Sequence, residues 1–195
     1  MSRIIVFAAL VSLGATATSE PMTDLDRQRL IAHLEMTAGW LLDEVSGLTE
    51  AQLRFRPKPG SWTIAEVLDH LIVVAPIYWQ DLQAALKEPA VERGNSSSDV
   101  GILWYGIDRT YRERAIPSEL PKGGVRDLQS ALDTYRKHHS RLLDFARTTK
   151  ADLRAHVVKR QSSDAYQWAL LISTHEQRHI LQIREIKSDA RFPKK

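Results

Sequence analysis

The stretch "SDAYQWALLISTHEQRHILQIREIK" (163–187) carries the pattern that decides the fold. Its apolar residues recur every three or four positions, as on one face of an amphipathic helix: Trp168, Leu171, Ile172, Ile183 and Ile186. His175 and His179 continue that face, so both imidazoles are predicted to point inward, about 6 Å apart along the helix axis. Ser162 or Ser163 is the predicted N-cap, and the helix is expected to end near Lys187.

Three further segments show the same helical period, at about residues 23–45, 63–87 and 125–147. Thr63 followed by Glu66 forms a capping box at the start of the second. Strand-like alternation is scarce along the chain. The sequence therefore predicts an all-α fold, a four-helix bundle. Residues 88–124 are too long and too rich in turn residues for a hairpin, so they are predicted to form one long crossover connection or a lid, with "ILWYGI" (102–107) as a short strand or packed loop.

The first residues, "MSRIIVFAALVSLGATATSEP" (1–21), resemble a secretory signal. Arg3 supplies a positive start, a short apolar run follows, and Ala15 and Ala17 match the small residues of a cleavage site. We predict a signal peptide at residues 1–17, cleaved after Ala17, and export to the periplasm or the medium. The alternative is an uncleaved N-terminal membrane anchor. No later apolar stretch is long enough to span a bilayer, so no stable membrane span is expected after cleavage.

Composition limits the chemistry of this 195-residue chain. It contains no cysteine, which excludes disulfides, thiolate ligands and a cysteine nucleophile. Any metal site must therefore use histidine, carboxylate and water. The net charge is +3, and the basic residues are dispersed among acidic ones, so no nucleic-acid partner is expected.

His175 and His179 stand four residues apart on one helix face, a spacing that lets two imidazoles share one ion. His70 lies at the edge of the apolar face of the second helix and is the candidate third ligand. Three histidines would leave positions open for water or substrate, which is the catalytic type of site. The alternative is that all three are ordinary core histidines, each satisfied by one or two hydrogen bonds.

The letters "HEQRH" also match the H-E-x-x-H motif of zinc proteases, in which Glu176 would be the general base. No histidine follows His179, and Gln182 stands where the extended motif needs a glycine. Glu185 occupies the third ligand position but would lie about 240° around the helix from His179. The protease hypothesis is therefore disfavoured.

Other polar residues have two interpretations each. Glu66 is expected to act as a helix cap rather than as a partner of His70. Glu176 is expected to be a solvated helix residue, and a position at the rim of the site is the alternative. Gln182 would either bond a ligand histidine or the substrate, or pack between helices. Trp104 and Tyr105 are predicted to form a lid over the site. Structural or surface roles are expected for His138 and His139, and surface positions for His33 and His156.

Two segments, "LTEAQLRFRPKPGSWTIAEVLDHL" (48–71) and "HEQRHILQI" (175–183), together with the four-helix pattern, resemble the DinB/YfiT-like superfamily. The resemblance covers about residues 23–187, within one domain expected at 20–190. It implies a bundle with one long crossover, a divalent metal ion such as zinc or nickel, and a homodimer. The metal ligands that it implies are His70, His175 and His179, with Gln182 as the trailing glutamine of the family's last helix.

The resemblance implies relatives that include thiol S-transferases and isomerases that use low-molecular-weight thiols. Such thiols belong to the cytosol, whereas this chain is predicted to be exported. The first functional hypothesis is therefore a metal-dependent hydrolase or transferase, acting on a small molecule with metal-activated water or thiol. The alternative is a non-catalytic metal- or small-ligand-binding protein of the cell envelope. A third is a purely structural bundle.

Overall fold

The computed structural model describes residues 21–91 and 98–194, so the predicted signal peptide lies outside the described residues. The described chain forms six α-helices, which are α1 (Asp24–Val45), α2 (Glu50–Arg54), α3 (Ile64–Lys87), α4 (Asp99–Ile107), α5 (Leu128–Thr148) and α6 (Ala165–Lys187). A small hairpin pairs β1 (Val157–Val158) with β2 (Ser163–Asp164) in antiparallel fashion. Single 3₁₀ turns occupy Pro117–Glu119 and Leu153–Ala155.

The four long helices α1, α3, α5 and α6 form the predicted four-helix bundle. Both α1 and α3 pack against α5 and against α6, so the consecutive long helices α1 and α3 lie diagonally across the bundle. The chain crosses from α3 to α5 through the long connection that the sequence predicted. Across residues 21–91 and 98–194, every helix is too short or too polar to span a membrane.

Helix starts follow from local side-chain caps. Thr23 caps α1, and Thr63 caps α3 in the predicted capping box, with Glu66 accepting the Thr63 amide at 2.8 Å. The predicted cap of the last helix is wrong by one or two residues, because Asp164 and not Ser162 or Ser163 caps α6. The hairpin explains the difference, since Ser163 pairs with Val158 and is still part of a strand.

The segment predicted as a short strand or packed loop is a helix, α4. Its backbone comes close to α6 at Gly106, where a Cβ atom would lie 2.7 Å from the Gln177 side chain. Arg178 of α6 donates to the backbone carbonyls of Tyr105, Asp108 and Tyr111 and so holds the C-terminal end of α4. These contacts are distant in sequence, so the helix is stabilised by packing that local periodicity does not reveal.

Two apolar clusters fill the bundle, with a polar layer between them. The first cluster includes Leu30, Leu34, Leu82 and Trp168. The second includes Leu41, Val45, Leu68, Ile180 and Ile183. Between them α6 carries a run of buried polar side chains, which are Ser173, Thr174, His175, Glu176, Arg178 and His179. Buried polar groups are costly unless they are paired, so this layer is where a site is expected.

Candidate metal centre

Three imidazoles converge in the polar layer. His70 comes from the second turn of α3, and His175 and His179 come from successive turns of α6. The Nε2 atom of His175 lies 3.2 Å from Nε2 of His70 and 3.2 Å from Nε2 of His179. One ring nitrogen from each residue lies within 4.8 Å of the other two, and none of the three side chains is more than 8% exposed. The predicted convergence is therefore found.

The outer ring nitrogens of two of these histidines are held by hydrogen bonds. Nδ1 of His70 lies 2.6 Å from the backbone oxygen of Glu119, and Nδ1 of His179 lies 2.9 Å from Oε1 of Gln182. A carbonyl oxygen only accepts, so Nδ1 carries the proton in both rings. In the neutral ring, Nε2 then presents a lone pair to the centre. This is how ligand histidines are commonly oriented.

Burial keeps these rings uncharged. It lowers the pKa of His175 to about 3, with further lowering by the nearby His70 and Arg178. Burial also lowers the pKa of His70 and takes that of His179 well below its usual value. Neutral imidazole is the form that binds metal ions.

The geometry fits a divalent ion. Zinc–nitrogen bonds of about 2.0–2.1 Å in a tetrahedral arrangement place ligand nitrogens about 3.3 Å apart, close to the 3.2 Å found on both sides of His175. A proton on Nε2 of His175 could bridge to one neighbour but not to both. Packed core histidines would thus leave facing lone pairs unsatisfied, whereas a shared cation satisfies all three.

The crossover connection is fixed to α3 beside the site. Asp69, next to His70, accepts hydrogen bonds from the backbone amides of Lys122, Gly123 and Gly124. Such a run of amides is a backbone nest for an anion. Gly123 has φ +72°, and a Cβ atom on Gly124 would lie 2.9 Å from Oδ1 of Asp69. The tight turn thereby brings the Glu119 carbonyl to His70.

Aromatic rings enclose the imidazoles. The Trp62 ring stacks on His179 with centroids 6.0 Å apart, and it lies 4.9 Å from His70. Tyr78 meets His175 edge-on at 5.6 Å. Neither Trp62 nor Tyr78 was predicted from the sequence as a site residue.

The prediction for Glu176 is wrong. It is 5% exposed, accepts a hydrogen bond from the Tyr135 hydroxyl, and also bonds the Thr37 side chain. Burial raises the pKa of Glu176 to about 8, against the opposing effect of those two hydrogen bonds. A helix at the edge of a bundle would leave the face that carries Glu176 in solvent. Helix α6 is instead covered by α1, α3 and α4.

Other predicted residues lie where the simpler interpretation placed them. Glu66 caps α3 and pairs with Arg56 at 2.7 Å rather than contacting His70. Glu185 pairs with Arg109, so it is not a third ligand of a protease site. Gln182 bonds His179, one of the alternatives left open.

The rings that flank the imidazoles are not those of Trp104 and Tyr105, the two residues predicted to form a lid. Trp104 is 61% exposed, and Tyr105 packs on the Arg178 guanidinium, whereas the rings that flank the imidazoles belong to Trp62 and Tyr78.

Two other histidines make hydrogen bonds inside the bundle. His33, expected at the surface, is half-buried and bonds Ser173 at 2.7 Å. His139 bonds the Leu34 carbonyl at 3.0 Å, which is a structural role.

Comparison with known proteins decides the family. The sequence model of the DinB superfamily matches residues 23–183. The chain belongs to the DinB superfamily. This DinB-superfamily chain is 27% identical to the uncharacterised protein YuaE of Bacillus subtilis strain 168, over 74% of this chain and 89% of that one.

The fold of this DinB-superfamily chain also resembles that of a solved structure, YfiT from Bacillus subtilis. The TM-score is 0.60 at 20% identity, and the match covers 87% of this chain and 90% of YfiT. YfiT is described as "a probable metal-dependent hydrolase with an unusual four-helix bundle topology". The predicted family and the predicted bundle fold are both confirmed.

Proposed function

We propose that this protein is a metal-dependent enzyme of the hydrolase or transferase type, in which His70, His175 and His179 hold one divalent cation. The observation that carries the proposal is the convergence of three Nε2 atoms, two of them on rings that Glu119 and Gln182 orient. A divalent ion bound there would supply Lewis acidity and lower the pKa of a water or thiol that reaches it.

Zinc or nickel is the proposed ion. Imidazole suits both metals, whereas magnesium and calcium prefer carboxylate and carbonyl oxygens. The candidate cluster consists of three histidines. The nearby carboxylate of Asp69 is engaged by backbone amides, and that of Glu176 by Tyr135 and Thr37.

The residues around the centre orient ligands and limit water. Glu119 and Gln182 fix the planes of two imidazoles, while Trp62 and Tyr78 cover their faces. A dry surrounding strengthens electrostatic interactions at the reacting atoms. The description of YfiT as a hydrolase supports water, rather than a thiol, as the nucleophile. The predicted export also supports water as the nucleophile, because low-molecular-weight thiols belong to the cytosol. Export and a homodimeric assembly both remain predictions.

A non-catalytic metal-binding protein of the cell envelope is the second candidate. The near-complete burial of the three imidazoles favours it, because a buried centre admits substrate less readily than an open one.

Metal removal and reloading separates the two candidates. The protein would be stripped with a chelator, reloaded with one equivalent of zinc or nickel, and assayed on panels of carboxylic esters, amides, phosphate esters and thiol acceptors. The enzyme hypothesis predicts turnover that disappears on stripping, returns on reloading, and is absent from His179→Ala. His156→Ala is the matched control, since His156 is a half-buried histidine outside the cluster.

Stoichiometric metal without metal-dependent turnover on any panel would support the second candidate instead. Failure to bind either metal would contradict both.

A further inference from the structure

A cavity of about 50 Å³ lies between α3 and α5, next to His175. His175 and Glu176 line it, but His70 and His179 do not. It is therefore a separate space that shares one side chain with the three-histidine centre.

The walls of this cavity are mainly apolar. The apolar lining comes from Leu71 and Val74 of α3, Leu142 of α5 and Ile172 of α6. This apolar part of the lining offers few partners to ordered water, which needs several polar contacts. It suits the hydrocarbon part of a small molecule.

The opening of the cavity carries an unpaired positive charge. Arg141 is exposed, and its guanidinium is held over the Trp79 ring at 5.0 Å from the centroid. Among the residues that the structure describes, Arg141 makes no ion pair and contacts only Nδ1 of His138, at 3.5 Å, by hydrogen bonding. Both other arginines of α5, Arg136 and Arg147, are ion-paired. A guanidinium fixed at the rim of an apolar cavity is a receptor for a carboxylate.

The inner end of the cavity presents polar groups that are more than nine-tenths buried. Glu176 already bonds Tyr135 and Thr37, so it is not the counter-ion of Arg141. Nδ1 of His175 makes no hydrogen bond within the described part of the chain, in contrast to Nδ1 of His70 and of His179. A ligand in the cavity would thus lie against a ring that also belongs to the histidine cluster.

We propose that this cavity binds a small apolar molecule with a carboxylate at one end, the hydrocarbon part lying between α3 and α5 and the carboxylate on Arg141. Neither the three-histidine centre nor the proposed enzymatic activity assigns this site.

Calorimetric titration of the full chain with short straight-chain carboxylates, from acetate to pentanoate, and with the matched primary alcohols tests the proposal. One chain length should bind best, and its carboxylate should bind about tenfold more tightly than its alcohol. Arg141→Gln should remove that preference while leaving alcohol binding unchanged. Arg136→Gln, on the same helix and paired with Asp133, is the matched control and should behave as wild type.

Ala75→Leu places a larger side chain in the cavity lining and should weaken both carboxylates and alcohols. Equal binding of carboxylate and alcohol, unchanged binding by Arg141→Gln, or no saturable binding would overturn the proposal. The titrations are run on metal-loaded and metal-stripped protein, since His175 belongs to both the cavity lining and the histidine cluster. Probe binding without metal binding would contradict the proposed function but not the cavity proposal. Metal binding without probe binding would contradict the cavity proposal but not the proposed function.

Discussion

In a neutral histidine, a proton on the outer ring nitrogen Nδ1 leaves a lone pair on the inner nitrogen Nε2. His70 and His179 carry their protons toward Glu119 and Gln182, so their Nε2 lone pairs point at the same place as that of His175. The Glu119 acceptor is a backbone oxygen, which no side-chain substitution removes. Gln182 is the partner that mutation can test.

Replacing Gln182 with leucine removes the acceptor for Nδ1 of His179 while keeping a similar volume. We expect the affinity for zinc or nickel to fall by about 10- to 100-fold, because the ring loses its fixed tautomer and orientation. Competition with a chromophoric chelator measures the change. Gln129→Leu, on exposed helix surface, is the control, and equal affinity of the Gln182 variant and wild type would show that the bond has no orienting role.

Tyr135→Phe tests the buried carboxyl group of Glu176. The change removes the hydroxyl donor and leaves Glu176 with the Thr37 bond, so the free energy of unfolding should fall by about 1–3 kcal/mol. Urea denaturation measures it. Tyr111→Phe, whose ring is 71% exposed, should change nothing, and equal midpoints for the two variants would contradict the assigned network.

At the scale of elements, the crossover connection between α3 and α5 is attached to α3 at the histidine site. Two neighbouring residues of α3 hold the crossover connection: Asp69 binds the turn at 122–124, and His70 binds the Glu119 carbonyl. Gly124 allows the close approach, since a Cβ atom there would meet the Asp69 carboxylate.

Gly124→Ala should therefore displace the turn and loosen the carbonyl that orients His70. We expect weaker metal binding, by several-fold, together with a loss of about 1 kcal/mol or more in the free energy of unfolding. Gly101→Ala is the control, because nothing lies within 4 Å of its added methyl group and alanine favours a helix. If both variants bind metal as wild type does, the turn does not position His70.

Features that depend on local contacts could be predicted from the sequence, and features that depend on contacts distant in sequence could not. The start of α3 could be predicted, because Thr63 and Glu66 lie within one turn. The inward direction of His175 and His179 followed from helical period alone. The helix α4 could not be predicted, because Arg178 and the approach at Gly106 stabilise it from α6. Glu176 was misplaced for the same reason, since its partners are distant in sequence.

At the scale of the whole molecule, one guanidinium joins the N-terminal ends of three helices. Arg154 lies 3.3 Å from Asp26 of α1, 2.7 Å from Asp99 of α4 and 3.4 Å from Asp164 at the cap of α6. Burial alone would raise the pKa of Asp99, but hydrogen bonds from Arg154 and Gln167 and the arginine charge outweigh it, and the net pKa is lowered.

A carboxyl group whose pKa is lowered by folding stabilises the fold above its unfolded pKa of about 4, and the stabilisation disappears as pH falls through the lower folded value. Asp99→Asn should therefore lower the free energy of unfolding by roughly 1 kcal/mol at pH 7, a value reduced by partial exposure. The difference from wild type should vanish near pH 2. Urea midpoints at both pH values test this, with exposed Asp144→Asn as control; a difference that persists in acid would contradict it.

The central claim is that the bundle brings one imidazole from α3 and two from α6 around a single divalent ion. Elemental analysis of the purified full chain, after equilibration with zinc or nickel and removal of excess, tests it directly. We predict one equivalent in wild type and in His156→Ala, and a small fraction of that in His70→Ala, His175→Ala and His179→Ala. Equal metal content in all five proteins would contradict the assignment.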